Sequence, residues 1–346
     1  MRAFHYYAEG SHGFCAYPMN RDQIRYGVIG MGRQGERYIR HIRNDTNHAA
    51  LVAVTRVDQR KGKKEAGALG VHWEPTWQTL LQNPDVDAVV ICVPCSLHRP
   101  IAIAALEAFK HVILEKPLAP TLTEGKAIAK SVSKAARKGV KLFFAHTLRY
   151  SNVITAITKH KTRIGNLVGL ILSQRLEHKP LHWEHKKATA GGGNIIQTGV
   201  HIFDLARFIT KDEVRHVSCI YGHVLEREVE DRFTAIMETR NGVQITLEGS
   251  KYVQGRHGRV DLIGPKGMLL GDHMRNALEF LDQKGSRPIN VGEPAMTVIN
   301  VLRDATQAFR GKQPLKITVD DGLASLAIAQ ACYRSAQSGK REMVRD

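Results

Sequence analysis

The 346-residue chain has little of what marks a membrane, secreted or fibrous protein. No run approaches the ~20 apolar residues of a membrane-spanning helix, so no transmembrane helix is expected. The opening 22 residues lack the apolar core of a secretory signal and are rich in polar and turn residues. They are expected to form a loosely ordered leader, residues 1–22, with Met19 a candidate for the natural start. Five scattered cysteines, an odd number, give no disulfide framework and point to a reducing cytoplasm. Cys92 and Cys95 form a C-x-x-C at the end of an apolar run rather than at the start of a helix, which suits packing better than redox chemistry. Acidic residues are the minority, 33 against 50 Lys and Arg, for a formal charge of +17. Charge alone is compatible with nucleic acid, an anionic ligand or a solvated basic surface. Here it is dispersed over both halves, and with aromatics at only 6% no aromatic ladder accompanies it, so no nucleic-acid partner is expected. There is no internal repeat or low-complexity tract.

What is present is organised around Ile24 to Arg43. The apolar run Tyr26-Gly27-Val28-Ile29 leads into Gly30-Met31-Gly32-Arg33-Gln34-Gly35, after which Tyr38, Ile39 and Ile42 recur at helical spacing. A strand, a glycine turn and a helix in that order form a dinucleotide-binding pattern. Gly30 permits the tight turn, Gly32 a close approach of pyrophosphate, and Gly35 close packing of helix on strand. The unpaired N–H groups of the helix's first turn and its positive dipole end would hold phosphates. A second buried strand, residues 51–54, ends at Thr55-Arg56. In NAD-specific folds a carboxylate near this point takes the ribose hydroxyls. Arg56 stands there instead, with Arg60, Lys61, Lys63 and Lys64 behind it, and a guanidinium binds a phosphate where a carboxylate would repel it. NADP is therefore preferred over NAD, the other reading being that Asp58 serves the ribose.

Further strands at 86–93, 111–114 and 141–145 alternate with helices at 61–69, 76–81, up to 109, and 122–138, which predicts a parallel, doubly wound sheet. Ligands bind such sheets at the carboxyl ends of the strands. The glycine turn, Arg56, Pro94 to His98 and Glu115-Lys116-Pro117 all fall at those ends. After about residue 150 the pattern changes. A helix at 152–161 and a run at 167–176 precede Gly191-Gly192-Gly193 and a helix at about 199–209. Strand-like runs then follow at 214–224, 233–239, 243–247, 260–263 and 268–270, joined by short turns that include Asn241-Gly242, where both residues tolerate positive φ. A mostly antiparallel sheet is expected, closed by helices at 294–309 and 320–335. The fold class is thus α/β: an N-terminal Rossmann domain over 23–150 and a C-terminal α+β domain over 151–346 on an open, mostly antiparallel sheet.

These residues resemble the glucose-fructose oxidoreductase, inositol dehydrogenase and MocA family of NAD(P)-dependent oxidoreductases. The resemblance rests on the glycine motif, P-x-x-x-H at Pro94 to His98, Glu115-Lys116-Pro117, and G-G-G-x-x-x-x-x-G-x-H-x-x-D from Gly191 to Asp204. It implies a sugar, polyol or sugar-derivative substrate, neutral or anionic, and a homodimer or homotetramer assembled through the second-domain sheet. It also implies that Lys116 and His201 are catalytic, and that Gly30, Met31, Gly32, Arg33, Gln34, Gly35, Arg56, Pro94, His98, Glu115 and Lys116 line the cofactor. The pairing is chemically sound, since removing hydride from an alcohol carbon needs a base for the hydroxyl proton and a cation for the developing alkoxide. Many family members carry an aspartate four residues before the histidine. Here Gln197 stands there, and an amide neither raises the imidazole's pKa nor takes a proton. Gln197 is left as a substrate contact beside Lys116, Trp183 and His201. The loop from His178 to Lys187 brings His182, Glu184 and His185 close in sequence, but i, i+3 spacing in a loop does not make a metal site, and no metal is expected. Its cations and Trp183 suit a sugar ring or an anionic substrate, or only a solvated basic loop. The competing functions are a cofactor-binding regulator without turnover and an NADP-dependent reductase of a nonsugar carbonyl or diol.

Overall fold

The computed structural model describes residues 22–178 and 181–345, so the expected leader and Met19, like Lys179 and Pro180 of the basic loop, lie outside the described residues except for Asp22. The first half runs β1 (Ile24–Ile29), α1 (Arg33–Asn44), β2 (Ala49–Thr55), α2 (Gln59–Leu69), β3 (His72–Glu74), α3 (Trp77–Gln82), β4 (Ala88–Ile91), α4 (His98–Glu107), β5 (His111–Glu115), α5 (Leu122–Ala136) and β6 (Leu142–Ala145). These strands form one parallel sheet in the order β3-β2-β1-β4-β5-β6. The central strand β4 is apolar at every position because helices cover both faces, and all four of its residues are buried. Strand order reverses between β1 and β4, so the crevice for a ligand opens where β1 meets the glycine turn. Side chains cap the starts of the helices: Asp58 accepts the Lys61 N–H at the start of α2, and Thr121 accepts that of Glu124 at the start of α5.

The second half contains α6 (Asn152–His160), β7 (Gly169–Glu177), α7 (Lys187–Ala190), α8 (Val200–Thr210), β8 (Val214–Gly222), β9 (Arg232–Thr239), β10 (Gln244–Val253), β11 (Arg259–Gly264), β12 (Gly267–Asp272), β13 (Ala277–Asp282), β14 (Gly285–Pro288), α9 (Thr297–Phe309), α10 (Val319–Ser338) and β15 (Glu342–Met343). Its nine strands run β14-β13-β12-β11-β7-β10-β9-β8-β15, antiparallel except for β7 beside β10. Alternation along β9 and β10 buries Phe233, Ala235, Met237, Ile245 and Leu247 and turns Thr234, Ile236 and Thr246 outward. The β9–β10 turn differs from the expected pair of positive-φ residues. Only Gly242 is left-handed (φ +85°), because the loop is three residues long and Thr239 donates its N–H to Val243 O at 3.1 Å. Strands β3, β14 and β15, which sequence patterning did not predict, are short edge strands, and β13, also not predicted, is a six-residue strand next to the edge.

The C-terminal helices return to the first half. Thr306 on α9 shares a 2.8 Å hydrogen bond with the buried Tyr26 hydroxyl, and Lys141 donates to Ala308 O at 2.5 Å. Arg149, before α6, clamps the buried Asp204 of α8 at 2.8 and 2.5 Å and reaches Asp321 of α10 at 2.7 Å. Asp204, the last residue of the G-G-G…D run, is thereby a structural anchor.

Five buried imidazoles among the described residues, His98, His111, His146, His201 and His273, are held below their ordinary value and make this fold sensitive to acid. Burial pushes His98, His111 and His273 each down to about 4. In the unfolded chain they titrate near 6.5, so between about 6.5 and about 4 the unfolded state binds more protons and stability falls with pH. Each contributes up to about 1.4 kcal/mol per pH unit there. Glu115 and Asp261, whose carboxyls burial pushes up, take protons more readily when folded and oppose the loss. Urea unfolding is expected to show stability declining from pH 7 to pH 5. His111→Asn, which keeps an acceptor for the Lys141 N–H, reduces that slope; an unchanged slope would contradict the assignment.

Candidate active site

The glycine turn fits a dinucleotide for three separate steric reasons. At Gly30 (φ +95°) a Cβ would lie 2.3 Å from Cys92 O, and at Gly35 one would lie 1.9 Å from Gly30 O. A side chain at Gly32 would meet nothing within 4 Å, so this is the open position where a ligand can approach the backbone. No side chain caps α1 at Gly32, which leaves its first-turn N–H groups and dipole for phosphate. Around the turn the residues expected to touch cofactor divide into two groups. Arg33 is exposed and faces the central cavity. Met31 is buried, and its carbonyl accepts Arg56 Nη1 at 2.9 Å. Glu115 is buried and accepts Gln34 Nε2 at 2.8 Å and the Tyr38 hydroxyl at 2.9 Å, so it braces α1 against β5 instead of facing a ligand. His98 is also displaced from the expected role. Its ring is buried between Pro117 O (2.7 Å) and Val93 O (3.1 Å), tying the Pro94 turn to the Lys116 loop. Arg56 is not an unpartnered guanidinium, for the same Nη1 lies 2.8 Å from Glu65 Oε2. Asp58 caps α2.

The carboxyl end of β5 faces the second domain across a cavity of about 180 Å³. Lys116, Gln197 and His201 converge there. Glu230 organises the far wall: its carboxylate accepts the N–H groups of Gly193 (3.0 Å) and Ile195 (2.9 Å) and the Tyr333 hydroxyl (2.7 Å). Gly193 is required because a Cβ there would lie 1.9 Å from Glu230 O. From this anchor the chain makes a wide π turn over Ile195–Gly199 and continues into α8. Gln197 and His201, four residues apart, therefore share one face. Trp183 does not line the cavity; its neighbour Glu184 does. His182, Glu184 and His185 do not converge either, since His185 pairs with Glu226 (2.7 Å) and Glu184 accepts the Leu181 N–H (3.1 Å). Among the described residues no group of three or more His, Cys, Asp or Glu is disposed to hold a metal.

Gln197 makes more bonds than its expected role as a substrate contact required. Its backbone carbonyl accepts Lys116 Nζ at 2.8 Å, its amide N–H groups go to Glu184 O and Gly192 O at 2.9 Å each, and its Oε1 accepts Lys251 Nζ. Burial pushes the amines of Lys116 and Lys251 down, the latter to about 8. Burial, and after it Lys116 and the other cationic neighbours, pushes the His201 imidazole well below its ordinary value. His201 is thus neutral at neutral pH and equipped to accept a proton.

Lys251, Asn194 and Gln174 are cavity residues that sequence reasoning missed. Period-two alternation from Ile245 and Leu247 puts Gly249 and Lys251 on the inward face, but Gly249 obscured the continuation of the strand. Asn194 and Gln174 carry no motif.

Comparison with known proteins identifies the family and the fold. Residues 24–146 match the oxidoreductase family, NAD-binding Rossmann fold, and residues 161–270 match the GFO/IDH/MocA C-terminal domain. The chain is 25% identical over 333 residues to the myo-inositol 2-dehydrogenase of Thermotoga maritima, with 91% of this chain and 96% of that protein covered. An oxidoreductase domain protein from Kribbella flavida superposes with a TM-score of 0.86 at 27% identity, over 94% of this chain and all of that one. Levoglucosan dehydrogenase in complex with NADH and levoglucosan shares the fold, with a TM-score of 0.84 at 22% identity over 94% of this chain and 100% of that one.

The state of His201 is directly measurable. By NMR of histidine-labelled protein its imidazole is expected to titrate well below a free imidazole, and Gln197→Asp, which places a carboxylate four residues away on the same face, to raise that midpoint. A wild-type midpoint at or above that of a free imidazole would overturn the electrostatic account.

Proposed function

The chain belongs to the GFO/IDH/MocA family of oxidoreductases, and from that premise we propose an NADP-preferring dehydrogenase of a sugar, polyol or sugar derivative, with Lys116 and His201 at the reacting carbon. The observation that carries this reading is the convergence of Lys116 and His201 on one cavity at the mouth of the dinucleotide-binding sheet. A nicotinamide dinucleotide held by the glycine turn supplies the hydride acceptor or donor. The protein's own groups manage the proton and the charge. Oxidation of a carbinol carbon needs the hydroxyl proton to leave, and neutral His201 is positioned to accept it. Lys116, fixed by the Gln197 carbonyl, has further N–H groups with which to stabilise an oxygen gaining negative charge. In the reducing direction the same two groups act in reverse.

The preference for NADP rests on Arg56. It stands at the end of β2 where NAD-specific folds place a carboxylate, and its bond to Met31 O holds it against the glycine turn. Asp58, the alternative ribose contact, is engaged as a helix cap. Glu65 partly neutralises Arg56 and disfavours a phosphate, which keeps NAD as the second cofactor candidate.

The outer face of the second sheet supports self-association. Ile236 and Ile220, 62% and 71% exposed, lie on neighbouring strands β9 and β8, where diagonal cross-strand pairs adjoin. A homodimer or homotetramer covering this face would remove both from water.

Two measurements test these readings. In steady-state kinetics with sugars and polyols, Lys116→Ala and His201→Ala are expected to lower turnover at least about tenfold with little change in NADP affinity. Arg56→Ala should instead lower the NADP-to-NAD ratio of kcat/KM by about tenfold or more, and Glu65→Gln should raise it. Wild-type rates in both catalytic variants, or an unchanged cofactor ratio in Arg56→Ala, would remove the respective assignment. Sedimentation of the wild type should show a dimer or tetramer that Ile236→Lys dissociates; a monomeric wild type contradicts the interface.

A further inference from the structure

The cavity has an unusual balance of charge at the point where the substrate must sit. Of its acidic residues, Glu230 is engaged by two backbone N–H groups and Tyr333, Asp231 by the N–H groups of Val224, Leu225 and Glu226, and Glu226 by His178 and His185. Glu177 is held by Arg256 at 2.6 Å. Glu184 is the lining carboxylate paired with Lys251, at 3.9 Å, with Glu226 further off and already held by two imidazoles, while Lys116, Lys251 and Arg33 all face the same space. Among the described residues Arg33 has no ion pair.

Gln197 lies between the two lysines. Its amide N–H groups are both committed to carbonyls, so its oxygen must face Lys251, and neither end of the amide is left for a ligand. It holds both amines without neutralising either. On the floor of the cavity Asn194, 1% exposed, has both amide atoms without a partner, and Gln174 Oε1 is likewise buried and unpartnered. Each such group costs about 1–3 kcal/mol unless something polar meets it. The cavity, about 180 Å³, has room for several ordered waters or for a small polyhydroxylated ligand.

Resting on the sugar-oxidoreductase reading above, we propose that the substrate is a sugar acid: a single polyhydroxylated unit whose carboxylate pairs with Lys251, while Asn194 receives a hydroxyl and Lys116 and His201 address the carbon that is oxidised. A carboxylate supplies the counter-charge that position 197 lacks, whereas a neutral sugar leaves the paired ammonium groups facing each other. Lys251 is in this account the residue that determines specificity, because Gln197 holds it beside the reacting end of the cavity.

The test uses full-length protein with NADP and with NAD, and matched compounds: gluconate against glucose, galacturonate against galactose, and glucose 6-phosphate. Initial rates are read by nicotinamide absorbance. Binding is read separately, without cofactor, as the shift of the thermal midpoint. The acid of each pair is expected to be favoured at least about tenfold in kcat/KM and to give the larger midpoint shift, the scale of one charge-assisted hydrogen bond. Lys251→Met should lower the acid-to-neutral ratio at least about tenfold, Lys251→Arg should retain it, and Gln197→Asp should lower it by supplying an internal carboxylate. Equal use of neutral and acidic members, or an unchanged ratio in Lys251→Met, overturns the proposal and leaves the dehydrogenase reading intact. Preference for the phosphate overturns the carboxylate. If no compound in the panel changes absorbance or midpoint, the dehydrogenase reading fails and takes this proposal with it. The wild-type comparison stands even if a variant does not fold.

Discussion

The carboxylate of Glu230 is the constraint on which the arrangement of the site depends. It is buried, and it satisfies two backbone N–H groups at the entrance to the π turn together with a hydroxyl from α10. Removing it would leave those donors unmet in a dry interior, a cost of about 1–3 kcal/mol for each. Its backbone approaches Gly193 so closely that no side chain fits there. The wide turn that follows puts Gln197 and His201 on one face, and Gln197 then reaches across to Lys116 at the end of β5. Since α10 also packs on α5 and β6, the same carboxylate links the position of His201 to the first sheet. Lys116 and His201, the pair proposed to be catalytic, thus stand on two domains held in register by hydrogen bonds.

The sequence disclosed those parts of the fold and site that rest on backbone sterics. Gly30, Gly35 and Gly193 each occupy places where a Cβ would collide with a carbonyl oxygen, so glycine there is a requirement visible as a motif. The apolar strands β1, β4 and β5 are equally visible, because burial on both faces removes polar alternation. What stayed hidden depends on which partner a side chain finds. Nothing local distinguishes an Arg56 that awaits a phosphate from one already paired with Glu65, nine residues on and on the next helix. His98 and Glu115 belong to motifs near the cofactor crevice, yet both act from behind it as braces. Trp183 and Glu184 are adjacent, and only the direction of a short turn decides which of them meets the cavity. The edge strand β14 escaped because it is four residues long with no apolar face, and β13 because its apolar alternation is limited to Leu278 and Phe280 between charged neighbours.

Gln197 and Lys251 are best understood as one feature. An aspartate at position 197 beside the Lys251 ammonium would form an ion pair inside the site, and a lysine so neutralised has little attraction left for a ligand. An amide accepts the same hydrogen bond and keeps the amine in place without itself neutralising it, so that Glu184 at 3.9 Å is left as its paired carboxylate. An amide at this position also offers no carboxylate to favour imidazolium at His201, which burial first and then its cationic neighbours hold neutral. A base held neutral in this way keeps its ability to accept a proton at lower pH, though with less thermodynamic drive for the transfer. The loss of drive is offset if the oxygen that loses the proton forms close to Lys116. The glutamine therefore does not remove the chemistry expected of this site; it shifts the charge that supports that chemistry from a carboxylate beside the histidine to the two amines opposite it.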